Sequence, residues 1–391
     1  MQRNQLFVFG VIIILVVIIL IKPQVKDNQV NNILSDANIL VNECEKQRNW
    51  QLCYADKFGD YNKIHTLDIT LKVLDKVENL DSKTRGCHLL AHKIATSEVE
   101  KDPSKWLEIF NFVDQTSCTN GFVHGVLEGR SRFEGGFKIN AEIIPQICQQ
   151  IEEKTSKRTT LSPDDACAHV LGHILLAEQD GDIEQSVKEC EKVDKGSYQV
   201  ACFNGIFMEN ITRDNLLIHS DTSPMPINRS SSDEVEVLCQ KFSGLARAAC
   251  FREIAHLYTS ISKNDPLKVF EDCFKGKTEE EGKECYFHAL NLMIAGPKFS
   301  NQALTNLCIK FSSEDDLKNC ISRYLGPLLF SSTKFSDRAI DFCLNTNENM
   351  RGFCFRAIGD RLKKLETDSE QRLNLCSLAP EEYVNLCAGG Y

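Results

Sequence analysis

Two short segments carry pairs of histidines at a spacing that suits metal chelation. "CHLLAH" (87–92) holds His88 and His92, and "CAHVLGH" (167–173) holds His169 and His173. Residues four positions apart lie on the same face of an α-helix, about one turn from each other. Each pair therefore has the spacing of two imidazole ligands to one metal ion.

A third segment, "CTNGFVHG" (118–125), adds one histidine to these pairs. His124 lies six residues after a cysteine, and Glu128 follows it by one turn as a further ligand or a base. Gly125 would let a second backbone approach this helix closely. Zinc or copper is the ion that such a set favours. The predicted metal ligands are His88, His92, His124, Glu128, His169 and His173.

Packing is the main alternative interpretation of these histidines, and catalysis is a third. A position that recurs in successive units usually faces the neighbouring unit, and a histidine there can donate a hydrogen bond to a carbonyl at a helix end. The sequence has no Walker loop, no dinucleotide-binding glycine motif after a strand and no HExxH motif. No catalytic residue and no organic cofactor site is predicted, and we do not expect an enzyme.

The cysteines indicate where the protein folds. The chain has 18 of them, an even number, and none forms a CxxC pair. Zinc ribbons and thioredoxin-like sites use that closer spacing, so widely spaced cysteines favour disulfides. Disulfides persist in oxidising compartments, and this predicts a body outside the cytoplasm.

The cysteines also mark a repeat in the C-terminal part of the chain. The first cysteine of each unit is followed by the second after 11 or 12 residues, and equivalent cysteines recur every 33 to 35 residues. A fixed period of this length is typical of a helical repeat array. The predicted disulfides are Cys239–Cys250, Cys273–Cys285, Cys308–Cys320, Cys343–Cys354 and Cys376–Cys387.

Each unit has the pattern of a helical hairpin. In "SSEDDLKNCISRYLGPLLF" (312–330) the apolar residues fall at i, i+3, i+4, i+7 and i+8, which is one face of a helix. Serines and acidic residues precede that face, as a helix start prefers. In the unit before it, Thr278 and Glu281 have the spacing of a capping box. A disulfide between the two helices closes a short loop and contributes about 3 kcal/mol.

The pattern continues irregularly toward the N-terminus, where polar inserts lengthen the repeat. We predict an irregular repeat region (36–215), a polar loop (216–235) and a regular region (236–391). Cys87 and Cys118 have no local partner, so they either bridge two neighbouring units or remain thiols. The other N-terminal pairs are Cys44–Cys53, Cys148–Cys167 and Cys190–Cys202.

This cysteine spacing resembles that of secreted, cysteine-rich helical-repeat proteins related to tetratricopeptide repeats. The resemblance covers roughly residues 36–391 and concerns spacing alone. It implies an all-α fold, a right-handed-type α-solenoid of disulfide-linked antiparallel helix hairpins with a period of about 34 residues. It also implies a binding scaffold.

The N-terminus contains an apolar run, "LFVFGVIIILVVIILI" (6–21), without a charged residue. No small-residue cleavage site follows it, which favours an uncleaved signal anchor at 6–22 over a cleaved signal peptide. Arg3 favours a cytoplasmic tip at 1–5, and 23–35 would be a linker. The sequence thus predicts a single-pass membrane protein with an extracytoplasmic body.

The net charge narrows the possible partners. A formal net charge of −10 argues against nucleic acid, since phosphate backbones require a basic face. The predicted function is a membrane-anchored scaffold that binds an unknown protein or peptide. The alternative is a metal-binding or redox protein that uses the histidines of 88–173.

Overall fold

The described part of the chain is all-helical, as predicted. Its secondary structure consists of helices and turns, without a strand in the described residues. The computed structural model describes residues 32–85, 87–115, 119–133, 136, 138–155, 163–194, 196–212, 232–262, 265–295, 308, 313–329, 333 and 336–390.

None of the helices in these ranges is both long enough and apolar enough to span a bilayer. The predicted anchor at 6–22 lies outside the described residues, as does most of the polar loop at 216–235.

The helices are numbered in chain order. The N-terminal part contains α1 (32–44), α2 (Trp50–Ile64), α3 (Leu67–Leu80), α4 (His88–Lys101), α5 (Trp106–Ile109), α6 (Thr119–Arg132), α7 (Ile143–Thr155), α8 (Pro163–Glu178), α9 (Ile183–Glu191) and α10 (Gly196–Thr212). The C-terminal part contains α11 (Ser232–Gln240), α12 (Gly244–Glu253), α13 (Ala255–Ile261), α14 (Pro266–Phe274), α15 (Glu279–Ala295), α16 (Glu314–Leu328), α17 (Ser336–Asn345), α18 (Glu348–Leu365), α19 (Ser369–Leu375) and α20 (Glu381–Cys387).

Disulfides link consecutive helices into hairpins. Within the described residues the Cα atoms of the bonded cysteines are 5.4 to 5.9 Å apart. All five predicted C-terminal pairs are confirmed. The three predicted local N-terminal pairs are confirmed as well: Cys44–Cys53, Cys148–Cys167 and Cys190–Cys202.

Cys87 is also disulfide-bonded, so the alternative of a free thiol at this position is wrong. Cys118 lies outside the described residues, and the predicted Cys87–Cys118 bridge therefore does too.

Two predicted helix starts are confirmed by their hydrogen bonds. The backbone N–H of Asp316 donates to the Ser313 hydroxyl at 3.0 Å, which caps α16. At α15 the backbone N–H of Thr278 donates to Glu281 at 3.0 Å, and that of Glu281 donates to the Thr278 hydroxyl at 3.3 Å. This reciprocal pair is a capping box, and it satisfies two backbone donors that the helix leaves open.

The helix that contains or directly follows the second cysteine of each unit is called a second helix. Each second helix packs against the next one along the chain, in the series α2, α4, α6, α8, α10, α12, α15, α16, α18 and α20. Their apolar sides carry fully buried aromatic residues, including Phe58, Phe122, Phe251, Tyr286 and Phe355. Each such side chain contributes about 1.5 to 3 kcal/mol by burial.

Glycines bring several pairs of second helices into close backbone contact, two of them near the predicted ligands. A Cβ atom on Gly125 of α6 would lie 2.1 Å from the carbonyl oxygen of His92 on α4. A Cβ atom on Gly205 of α10 would lie 1.9 Å from the carbonyl oxygen of His169 on α8. The predicted close approach at Gly125 is therefore confirmed. Side chains on facing turns of these helices can consequently reach each other.

Candidate metal centre

Five histidines from three second helices meet around His124. This residue lies on α6, which packs against both α4 and α8. Its ring centroid is 5.0 Å from that of His88, 5.5 Å from that of His169 and 5.4 Å from that of His173. The ring of His92 is 6.4 Å away. The two predicted histidine pairs therefore flank the single histidine of the helix between them.

Three of these rings are within ligand distance of one another. One nitrogen from each of His124, His169 and His173 lies within 4.8 Å of the other two, and we name this group the three-histidine centre. The Nε2 atoms of His169 and His173 are 3.0 Å apart. Donor atoms of a tetrahedral zinc site are separated by about 3.3 Å, since each bond is about 2.0 to 2.1 Å long. A small movement of the side chains would thus accommodate the ion.

A buried glutamate fixes the orientation of His173. The Nδ1 atom of His173 lies 3.0 Å from Oε2 of Glu209 on α10. An ionised carboxylate only accepts hydrogen bonds, so Nδ1 carries the proton and donates it. The Nε2 atom of His173 then faces His169. Metal-bound histidines are commonly oriented in this way by a carboxylate on the second ring nitrogen.

The three other predicted ligands lie beside this centre. His92 Nε2 is 3.1 Å from Glu128 Oε2, and Arg132 is 3.6 Å from the same oxygen. Glu128 therefore serves as a partner of His92, as Glu209 does for His173. His88 packs edge-on against His124. The structure thus brings half of the predicted ligand set to ligand distance and places the other half next to it.

Burial keeps the central rings neutral. Burial lowers the pKa of His124 well below its usual value, and the charges of His88, His173 and His169 lower it further. The pKa of His169 is also lowered well below its usual value, first by burial and then by the charge of His173. Only the neutral imidazole has a lone pair for a metal ion, so both rings are in the ligand form at neutral pH.

A second group of ionisable side chains was missed in the sequence as a candidate site. Glu253 ends α12, His256 lies on α13, and His288 lies on α15. They are close enough to the first centre that the charges of Glu253 and His288 act on the pKa of His169.

Glu209, the partner of His173, was also missed in the sequence. A usable signal was present, because His92–Glu128 and His173–Glu209 share a separation of 36 residues.

No family model, no curated protein and no solved structure matches the chain. The resemblance to cysteine-rich tetratricopeptide-like proteins therefore stays a prediction from the cysteine spacing. The choice between metal binding and protein or peptide recognition therefore depends on the chemistry of the clustered side chains.

Proposed function

We propose that this chain is a membrane-anchored, extracytoplasmic α-solenoid that binds zinc or copper at the three-histidine centre. The observation that carries the proposal is the approach of one ring nitrogen from each of His124, His169 and His173 to within 4.8 Å of one another. Three imidazoles are an established ligand set for zinc, with a fourth position left for water. Copper also accepts imidazole nitrogens.

The surroundings of the centre support metal binding. His124 and His173 are buried, and His169 is partly exposed, so an ion can be reached from one side. Glu209 is also buried and supplies a negative charge next to the ligands. Two more ionisable groups, His92 and Glu128, form a hydrogen-bonded pair one helix away. A cation would be stabilised by the negative charge of these carboxylates.

The packing interpretation is the competing explanation, and it has a definite form. The 3.0 Å contact between His169 and His173 can be a hydrogen bond from one neutral imidazole to the other. In that case His124 would fill space between α4 and α8 without a ligand role. The two explanations differ in one observable, which is whether the chain contains a metal ion that depends on His124.

The experiment is elemental analysis of the full-length chain purified in mild detergent without chelators. We expect bound zinc or copper, and we expect the His124→Ala variant to contain about one ion less per chain. His65→Ala is the matched control, because His65 stacks on Tyr61 and takes no part in the cluster. Equal metal content in the wild type and His124→Ala, with both chains folded, would overturn the proposed function.

The solenoid architecture is supported by the unbroken packing of second helices from α2 to α20. The anchor and the location are supported by the uncharged apolar run at 6–21 and by the disulfides. Protease added to intact cells or spheroplasts should digest the body of the protein. The chain should stay with the membrane after a salt wash, and a soluble form that begins near residue 25 would show a cleaved signal instead.

Recognition of a protein or peptide is the second candidate function. It is favoured by the continuous series of second helices, since stacked hairpins present long binding surfaces. A ligand that binds the wild type and His124→Ala equally would separate this role from the metal.

A further inference from the structure

Three ionisable side chains converge where α12 and α13 pack against α15. Glu253 and His256 are three residues apart, and this spacing places them on one face of the helical segment. His288 reaches the same point from α15, which packs against both helices. None of the three belongs to the three-histidine centre.

The donor atoms of this group form a nearly equilateral triangle. Oε2 of Glu253 is 3.4 Å from Nε2 of His256 and 3.2 Å from Nε2 of His288. The two Nε2 atoms are 3.3 Å apart. These edges match the separation of about 3.3 Å between donors of a tetrahedral ion with bonds of about 2.0 to 2.1 Å. Calcium needs longer bonds and six or more oxygen ligands, which this group does not supply.

Two polar atoms at this point, Oε2 of Glu253 and Nδ1 of His288, have no hydrogen-bond partner among the described residues, whereas the other carboxylate oxygen of Glu253 lies 3.4 Å from Arg252. Glu253 is only 1% exposed, and its Oε2 makes no well-aligned hydrogen bond although both Nε2 atoms are nearby. The Nδ1 atom of His288 is also buried without a hydrogen-bond partner. Buried carboxylate oxygens are nearly always hydrogen-bonded. A cation among the three donors would satisfy Oε2 and remove this cost.

The group is closed on the glutamate side and open on the histidine side. The side chain of Glu253 is 2% exposed, whereas those of His256 and His288 are 17% and 14% exposed. Three protein ligands and one solvent-accessible position are the arrangement of zinc sites that keep a bound water.

We propose that Glu253, His256 and His288 form a second metal centre, a two-histidine, one-glutamate site for zinc with its fourth position open to water or to an external donor. The proposal rests on its own three donors and does not require the three-histidine centre to bind metal. The two centres together make a row of metal sites along the second helices from α6 to α15.

The test uses the full-length chain, stripped with a chelator and titrated with Co2+, whose visible absorption is intense in tetrahedral sites. We expect two ions per wild-type chain. Glu253→Gln and His288→Ala should each lose one ion, and His124→Ala should lose the other. Glu284→Gln is the matched control, because Glu284 lies on α15 and approaches Arg252 at 4.0 Å without being one of the three donors, while Arg252 stays 3.4 Å from Glu253. It should bind as the wild type does.

His256→Ala gives a milder variant, because His256 is partly exposed and its removal leaves His288 within 3.2 Å of Glu253. It covers the case in which Glu253→Gln does not fold. The proposal is overturned if folded His256→Ala and His288→Ala chains retain the wild-type stoichiometry and the same Co2+ spectrum. A chain that binds one ion, lost in these variants but not in His124→Ala, would support the second centre and contradict the first.

Discussion

The repeat units in the middle of the chain and those near its C-terminus use the same position after the second cysteine in different ways. Six residues after the cysteine, α8 carries His173, which is buried, and α13 carries His256, which is partly exposed. At the same offset α16 carries Gly326 and α18 carries Asp360, which is exposed. The repeat therefore tolerates a small or a solvated residue at this position.

The other side of these helices shows no such difference. Phe122 and Phe251 are fully or almost fully buried in the middle region, and Tyr324 and Phe355 are fully buried in the C-terminal region. Both regions thus share an apolar helix side and disulfide-linked hairpins among the described residues. This shared framework does not require buried imidazoles and carboxylates, so these are a local addition to the middle region. This difference favours metal binding over packing as the reason for the histidines.

The largest expected effect comes from the disulfides, which both regions share. Reduction of the whole chain should abolish the cooperative thermal transition, because each bridge contributes about 3 kcal/mol. Removal of one bridge by Cys343→Ser with Cys354→Ser should lower the melting temperature without changing metal content. Removal of Cys190–Cys202 should also reduce metal content, since α10 carries Glu209. Equal metal loss in both double variants would mean that the two regions are not independent.

The framework could be predicted from the sequence because its signals are local. A cysteine pair 11 residues apart and a cap at Ser313 involve residues that are neighbours along the chain, and both are confirmed. The i, i+4 pairs of histidines are local as well. Their convergence on His124 depends on which helices pack together, and the sequence contains no direct measure of that.

The site residues that were missed in the sequence fall into two groups, those with a local signal and those without one. Glu253 and His256 have a local signal, because i, i+3 spacing places a carboxylate and an imidazole on one helix face. His288 joins them only because α15 packs on α12. Glu209 meets His173 only because Gly205 lets α10 approach α8 so closely. A close helix contact of this kind becomes visible only in three dimensions.

The second largest effect is expected from blocking this close contact between α8 and α10. Gly205→Ala places a Cβ atom 1.9 Å from the carbonyl oxygen of His169, so α8 and α10 must move apart. Overpacking of this kind costs about 3 kcal/mol, and the displacement should also weaken metal binding. Gly352→Ala in α18 is the control, because among the described residues no atom beyond its chain neighbours and its own helix backbone lies within 4 Å of the Cβ position. It should stabilise the chain by about 0.5 to 1 kcal/mol. Denaturant unfolding measures the stability of both variants. Similar destabilisation by Gly205→Ala and Gly352→Ala would contradict the assigned contact between α8 and α10.

The pH dependence of the free energy of unfolding is expected to be a smaller effect than the helix displacement. In the metal-free chain we expect it to come from the middle region. Burial holds the pKa of His124 and of His169 well below 6.5, with His88 and His173 facing His124 and with Glu253 and Arg252 near His169. Their unfolded forms take up a proton near pH 6.5. Between that pH and the folded pKa, the unfolded state binds more protons, so the free energy of unfolding falls as the pH falls.

Well above pH 6.5 the two rings are neutral in both states and this contribution is constant. Between pH 6.5 and 5.5 each ring should lower the free energy of unfolding by about 1 kcal/mol. Denaturant unfolding at several pH values in the presence of a chelator measures it. Burial lowers the pKa of His288 as well, so His124→Asn should flatten the dependence in part, and an unchanged slope in that variant would show that His124 does not contribute to it.

The smallest effect tests whether the C-terminal region is independent of the metal centres. Ser313→Ala removes the hydroxyl that accepts the Asp316 N–H at the start of α16, which costs about 1 kcal/mol. Thr278→Ala removes the corresponding hydroxyl of α15 and should cost a similar amount. Of these two helices only α15 carries a proposed ligand, His288, which lies near its middle, about ten residues from the cap.

We therefore expect equal destabilisation by both variants, unchanged metal content in Ser313→Ala, and at most a slight weakening of the second centre in Thr278→Ala. None of the proposed metal ligands lies on α16. Loss of metal from Ser313→Ala would therefore show that the C-terminal repeats support the metal centres through helix packing.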